Sequence, residues 1–477
     1  MGILALLLGV ALLVPIGIAA ASGGPDVSAL ALSALIAAAS GILLVLLGKK
    51  AELGVREAIA VVTGSWLLYA LLGGLPYLLS GVLPTLTDSF FEAMAGFTTT
   101  GTTVVTNIEA LPTGILFWRN FTQWLGGMGI IVLSVALLPY LGVGGMELLR
   151  TEASGLTVER IVPRIRETAM LLWGVYAVLT LAETVLLSLG GMSVFEAVLH
   201  SFATMATGGF SPKNASVAAY PSPYLQWVII VFMFLAGANF TLHYLGLRGR
   251  LSAYWKNGEF RFYLGATAVS ILLTAAALWW AKGPAGGAAG AGVERTLRDA
   301  AFQALSLITT TGFATADFEL WPVVVQGLFL FLMLIGGCAG STAGGIKYVR
   351  IVLMGRYARA QMQKLVHRRA VKEISLDGRP VADEVSHGVQ AFFFLYLSLW
   401  VAGSAALTAL GMDLVSALSA VAANMGNVGP GLGAVGPTDN YFGQPAAAKW
   451  LLSVLMLAGR LEIFPVLALL TRGVWRK

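Results

Sequence analysis

The chain has 477 residues, of which 57% are hydrophobic and only 11% charged, with a mean hydropathy of +0.81. A soluble protein carries about 25% charged residues, so there is too little charge here to cover a water-exposed surface. A net charge of +6 would suit a nucleic-acid binder, but the distribution of the basic residues excludes that class, and the single Cys338 excludes a disulfide within the chain.

Apolar segments run the length of the sequence. Ten of them, at about 2–22, 28–48, 58–81, 114–143, 169–190, 220–247, 262–282, 321–349, 391–411 and 447–472, read as membrane spans, since about 20 apolar residues in a helix cross about 30 Å of hydrocarbon. The first lacks a basic amino-terminal region and other spans come after it, so it reads as a span and not as a signal peptide. After the first two spans the order becomes regular: a span, a shorter apolar segment, then another span.

The shorter segments are Thr87 to Phe97, Val194 to Ala206, Leu297 to Ile308 and Leu414 to Met425. They are too short to cross and read as re-entrant helices. A small-residue run succeeds each: TTTGTT at 98–103, TGGFS at 207–211, TTTGFAT at 309–315 and NVGPGLG at 427–433. Aligning Gly101, Gly209, Gly312 and Gly429 gives intervals of 108, 103 and 117 residues, an internal four-fold repeat. The expected organisation is two amino-terminal helices (1–56), then pore repeats at 57–150, 151–261, 262–389 and 390–477. The expected fold class is an all-α integral membrane protein with ten spanning helices around a pseudo-four-fold pore.

Charge sets the orientation. With both termini inside, the inner segments hold 23 of the 30 Lys and Arg residues, nine of them between Lys347 and Arg379; the outer segments hold only Arg119, Lys213, Lys282, Arg295, Arg298 and Lys449. The positive-inside rule therefore places both termini in the cytoplasm of a cell (inner) membrane protein. The same charges answer to membrane lipid, and no nucleic-acid partner is expected.

Backbone that leaves a helix at membrane depth exposes N–H and C=O groups, and survives only in a wet cavity or buried in protein. Four equivalent runs meet that demand together if they surround one axis and turn their carbonyls to a partly dehydrated cation. The residues that would do so are Thr99, Thr100, Gly101 and Thr102; Thr207, Gly208 and Gly209; Thr310, Thr311 and Gly312; and Asn427, Val428 and Gly429. Glycine supplies backbone angles closed to other residues. The fourth run lacks threonine, which predicts looser selectivity than in a symmetric channel.

These runs in this order resemble the Trk/Ktr/HKT family of potassium transporters over nearly the whole chain. GGCAGSTAGGIKYVR at 336–350 is similar to the family's broken third-unit helix, GNVGPGLG at 426–433 and AGRLEIFP at 458–465 resemble the fourth unit of its Trk branch, and the two extra amino-terminal helices also point to that branch. The resemblance implies potassium as the transported ion, held by filter carbonyls alone, with no other cofactor. It also implies a homodimer on a cytoplasmic nucleotide-binding regulatory (RCK-type) subunit, for which the basic stretch from Lys347 to Arg379 is a candidate contact.

Two further features belong to the pathway. Gly336, Gly337, Gly340, Gly344 and Gly345 crowd one span, each weakening a helix interior by about 0.8–1 kcal/mol, so the eighth span should open midway. With Ser341 and Thr342 the run is polar as well as small, and the resemblance makes it a gate below the filter. Arg460 lies within the last span, where a charge is costly; by family analogy it is a barrier in the pore, and the alternative is a structural pair with Glu462. Asp88, Glu92, Glu196, Asp299 and Asp413 flank the short helices as caps or as a cation-concentrating mouth. His200, His243, His367 and His387 show no metal spacing, and no nucleophile–base constellation supports an enzyme. The competing function is a sodium- or proton-coupled symport with a midplane site, which does not require four equivalent loops.

Overall fold

The computed structural model describes residues 1–48, 54–136, 158–286, 292–367 and 374–471. Two amino-terminal helical stretches, α1 (Gly2–Ala11) with α2 (Leu13–Ala21) and α3 (Val27–Leu47), pack on each other and against α4 (Val55–Leu79). Asp26 ties them to α6 (Thr113–Ala136): its buried carboxylate accepts from the Ile115 amide (2.9 Å) in that helix's first turn. Between α4 and α6 lies the short α5 (Leu86–Phe97).

The second group is α7 (Val158–Leu189), the short α8 (Val194–Met205), α9 (Pro223–Ala236), α10 (Phe240–Leu247) and the one-turn α11 (Ser252–Lys256). The third is α12 (Gly258–Gly286), the short α13 (Val293–Ile308), α14 (Val323–Leu334) and α15 (Tyr348–Val366). The fourth is α16 (Asp383–Ala409), the short α17 (Leu414–Met425), α18 (Ala446–Arg460) and α19 (Phe464–Leu470). The β-structure among the described residues is a two-residue hairpin ladder, Ser375–Leu376 against Arg379–Pro380, and an isolated bridge between Ile335 and Ile346.

Among the described residues six helical stretches are apolar and long enough to cross a membrane unbroken, seven if α9 and α10 are one span, and no more than 39% of any such window is buried. Most of their apolar surface therefore faces outward, which is stable only against lipid. The short helices are the reverse. Every residue of α5 from Asp88 to Phe97 is buried, polar ones included. The molecule is apolar outside and polar at its centre.

Two segments expected as continuous spans are broken, and the eighth, 321–349, opens midway as its glycine run predicts. The 220–247 segment bends by 105° between α9 and α10, at Gly237 and the helix-capping Asn239, whose side chain accepts from the Thr241 amide (2.8 Å). The 321–349 segment stops at Leu334 and resumes at Tyr348. The 447–472 segment breaks after Arg460, where Glu462 and Ile463 take positive φ (57° and 66°) ahead of Pro465. The portion of 114–143 beyond residue 136, and the proposed repeat boundary at 150, lie outside the described residues.

Candidate ion pathway

Three of the four short helices are started by side chains, while α13 starts after Gly292 without one. Thr85 accepts from the Asp88 amide (3.1 Å) while Asp88 accepts from the Thr85 hydroxyl (2.6 Å), and Ser193 and Glu196 repeat this reciprocal box at 3.3 and 3.1 Å. Asp413 caps α17 through the Ser416 amide (3.0 Å). Two of the expected caps differ. Glu92 sits mid-helix, fully buried, in an ion pair with Arg119 (2.7 Å). Asp299 lies inside α13, which begins at Val293 and not at Leu297, and faces Arg295 at 3.9 Å.

Each short helix ends the same way. The amide of the first loop residue reaches back three positions and that of the next five: Thr99 to Gly96 and Thr100 to Ala95, Thr207 to Thr204 and Gly208 to Ala203, Thr310 to Leu307 and Thr311 to Ser306, Asn427 to Asn424 and Val428 to Ala423. This closure requires a left-handed residue, and Thr99, Thr207, Thr310 and Asn427 have φ of 51°, 52°, 56° and 55°. Two residues later Gly101, Gly209, Gly312 and Gly429 have φ of 81°, 78°, 79° and 110°, a conformation that favours glycine.

The four glycines also pack in a closed cycle. A Cβ on Gly101 would strike the Gly208 carbonyl oxygen, one on Gly209 that of Thr311, and one on Gly312 that of Val428; one on Gly429 would lie 2.8 Å from that of Thr100. Each loop thus touches the next and the fourth touches the first. The expected loop residues are brought to one place at the centre of the molecule, and all are buried except the part-exposed Gly101, Gly209 and Gly312.

The break between α14 and α15 lies against this ring. Gly344 donates its amide to the Thr310 hydroxyl (2.7 Å), and a Cβ there would meet Asn427. The Thr342 hydroxyl donates to the Met205 carbonyl (2.9 Å) at the end of α8, and the Cys338 amide to that of Gly237 (2.8 Å) at the α9 break. Arg460, buried, donates to the Thr342 carbonyl (2.7 Å) and to that of Gly126 on α6 (3.4 Å). Its expected alternative partner, Glu462, pairs instead with Arg350, which also stacks on Phe392 (3.9 Å). Gly336, Gly337, Gly340, Ser341, Thr342, Gly344 and Gly345 thus form one non-helical wall with Arg460 lying against it.

The structure adds residues that the sequence does not single out. Arg119, Asn120 and Gln123 project from one side of α6 onto the second loop: Arg119 to the Ser211 carbonyl (3.1 Å), Asn120 to that of Phe210 (2.8 Å) and Gln123 to that of Gly208 (2.6 Å). Glu259 at the start of α12 accepts from the amides of Ala339 (2.7 Å), inside the inner break, and Val349 (3.0 Å), at the start of α15. For the first group, the polar cluster Arg119, Asn120, Thr122 and Gln123 in a mostly apolar span is the available signal. His200 and His243 are buried in hydrogen bonds, and no cluster of three or more metal-type ligands occurs among the described residues.

Membrane-crossing helices around four central loops define an integral membrane transporter rather than an enzyme. The particular family emerges from comparison: residues 28–473 match the TrkH family, described as cation transport protein, and the chain belongs to it. It is 41% identical over 432 residues to the Trk system potassium uptake protein TrkH of Escherichia coli (strain K12), covering 90% of this chain and 88% of that one. It is 36% identical over 482 residues to the Trk system potassium uptake protein TrkI of Halomonas elongata, covering 100% and 96%. The crystal structure of the potassium transporter TrkH from Vibrio parahaemolyticus superposes with a TM-score of 0.90 at 37% identity, covering 100% of this chain and 98% of that one.

Proposed function

We propose that the chain takes up potassium across the cytoplasmic membrane through one central pore. The selectivity filter is built from the carbonyls of the loops at Thr99–Thr102, Thr207–Gly209, Thr310–Gly312 and Asn427–Gly429. The observation that carries this reading is the closed cycle in which each loop's glycine abuts the next loop's carbonyl. Backbone carbonyls in such a ring replace the hydration shell of a cation, and relatives named for potassium uptake make potassium the ion.

The architecture behind the reading is ten spans, both termini cytoplasmic, and four helix–loop–helix repeats divided at 57–150, 151–261, 262–389 and 390–477 after the amino-terminal pair. The 336–345 run is the gate and Arg460 its electrostatic lock. Two unit charges about 4 Å apart interact by roughly 4 kcal/mol at an effective dielectric near 20. A guanidinium beside the pathway therefore opposes a cation strongly. The assembly is a homodimer with a cytoplasmic nucleotide-binding regulatory subunit, and the basic stretch 347–379 is its contact; residues 368–373 of that stretch lie outside the described residues.

The test is flux from liposomes containing the purified protein. Potassium flux faster than that of sodium is expected, raised further in Arg460→Ala and in variants shortened within 336–345. Absence of potassium selectivity defeats the filter; a well-folded Arg460→Ala with unchanged flux defeats the lock. Potassium movement that stops when sodium or proton gradients are removed favours the coupled symport instead. For the partner, charge reversal at Arg356 and Arg359 should abolish regulation by the subunit while leaving basal flux intact.

A further inference from the structure

Of the four carbonyls that close the ring, those of Thr100, Gly208, Thr311 and Val428, one differs. The Gly208 oxygen accepts from the Gln123 side-chain amide at 2.6 Å. Among the described residues the other three accept nothing from a side chain. The same Gln123 turns its own oxygen to the Phe210 amide (3.0 Å), so its carboxamide pairs with the second loop on both sides of Gly209. It is fully buried. A Cβ on Gly208 would lie 2.6 Å from its oxygen and 2.7 Å from its nitrogen, so the glycine at 208 and the glutamine at 123 fill one space.

We propose that Gln123 is a positioning residue that sets ion selectivity by fixing the Gly208 carbonyl. This rests on the assignment of the four loops as a filter. Selectivity in a carbonyl ring depends on the number and field strength of the coordinating dipoles and on how freely they move. A carbonyl oxygen has two acceptor sites. Gln123 occupies one and leaves the other for the ion. The second strand therefore presents a weaker but better-held ligand than its three neighbours. The asymmetry also explains why this copy alone reads Thr-Gly-Gly: a side chain at 208 would evict the brace.

The neighbours on α6 make the assignment specific. Arg119 and Asn120 hold the outer part of the same loop at Ser211 and Phe210, so the loop stays anchored when Gln123 is changed. Gln123→Leu then frees the Gly208 oxygen and the Phe210 amide and leaves the outer contacts in place.

The experiment uses the full chain in liposomes and reads the potassium-to-sodium permeability ratio. Gln123→Leu removes donor and acceptor together, and Gln123→Met does the same with an unbranched side chain. Both variants are expected to lower the ratio about fivefold, the scale of one net hydrogen bond, with an unaltered gel-filtration profile. Should Gln123→Leu not fold, Gln123→Met alone carries the test. A folded variant of either kind that keeps the wild-type ratio overturns the proposal, even if its melting temperature falls. Wild-type protein that fails to discriminate the two ions defeats the filter assignment itself, which is a distinct outcome.

Discussion

The four outer loops and the inner break at 335–347 are both irregular backbone in the middle of a membrane protein, yet they are held in opposite ways. Each outer loop is folded largely by its own short helix, through the same two backward amide bonds and the same left-handed residue. The inner break has bonds of its own, such as Gly336 to Ile346 and Tyr348 to Gly337, but it leans as well on Gly237, Met205, Thr310, Glu259 and Arg460 from separate parts of the chain. A locally determined loop keeps its shape while its surroundings move. A loop held by distant groups changes whenever any of them moves. That is the division of labour the proposed filter and gate call for.

The largest effect should come from the local side. In Gly312→Ala a methyl group is placed at φ 79° against the Val428 carbonyl. Strained backbone of this kind costs about 1–3 kcal/mol before the collision is counted, and uptake should be abolished in a potassium-dependent growth assay. Growth at the wild-type rate would mean the ring is looser than described.

Next is the tie between loops. Glu92 and Arg119 have side-chain exposures of 0% and 2% and form an ion pair. Glu92 also accepts from Thr103 and Val104 in the first loop, while Arg119 reaches the second. Glu92→Ala leaves a buried guanidinium without its counter-charge, and breaking such a pair costs about 3–5 kcal/mol. The thermal transition in detergent should fall steeply, and Arg119→Met combined with Glu92→Leu should recover part of the loss. A double variant no better than the single would place the loss in something other than the orphaned charge.

The contrast also explains what is legible in the sequence. The four loops can be read because local structure repeats as local sequence: Thr-Thr-Gly recurs, and Asn427-Val428-Gly429 keeps the geometry although its residues differ. The glycine crowd at 336–345 predicts a break because glycine weakens helices wherever it stands. What holds that break is not legible. Glu259 lies 80 residues from Ala339, and nothing in its own segment marks it as a brace. The break at 461–463 escapes the sequence because Glu462 and Ile463 are ordinary helix residues, and their positive φ is imposed by position. Glu92 looks like a cap because it stands near a helix start, whereas its partner Arg119 is 27 residues away.

Glu259 offers the sharpest intermediate test. One of its oxygens accepts from an amide inside the inner break, Ala339, and from one just past it, Val349. In Glu259→Ala two amides lose their acceptor, at about 1–3 kcal/mol each if they stay buried. Hydrogen exchange should quicken across 336–349 and leave the loops at 98–103 and 427–433 unchanged. Equal acceleration in both regions would erase the distinction between locally and remotely held backbone.

The smallest effect tests the local side at its edge. Asp413 is exposed, outside the membrane-crossing helices, and caps α17 through the Ser416 amide. The Ser416 side chain and then its amide hold the Asp413 carboxyl below its ordinary range. A depressed carboxyl contributes stability that is present above its unfolded pKa and disappears as pH falls through the lower folded value. Solvent screening keeps that contribution small at an exposed site. Asp413→Ala removes the cap and should cost about 1 kcal/mol. Asp413→Asn keeps a capping oxygen and should cost little, but it should flatten this part of the acid dependence. The fourth loop is backed within its own unit by Ser416, which accepts from the Ala434 amide (2.8 Å), and by Ser419, which accepts from that of Leu432 (2.8 Å). Loss of the cap should therefore soften 427–435 and spare the other three loops. If exchange in 98–103 or 309–315 rises as much, the ring behaves as one cooperative unit, and its stability belongs to the closed cycle rather than to four separate helix ends.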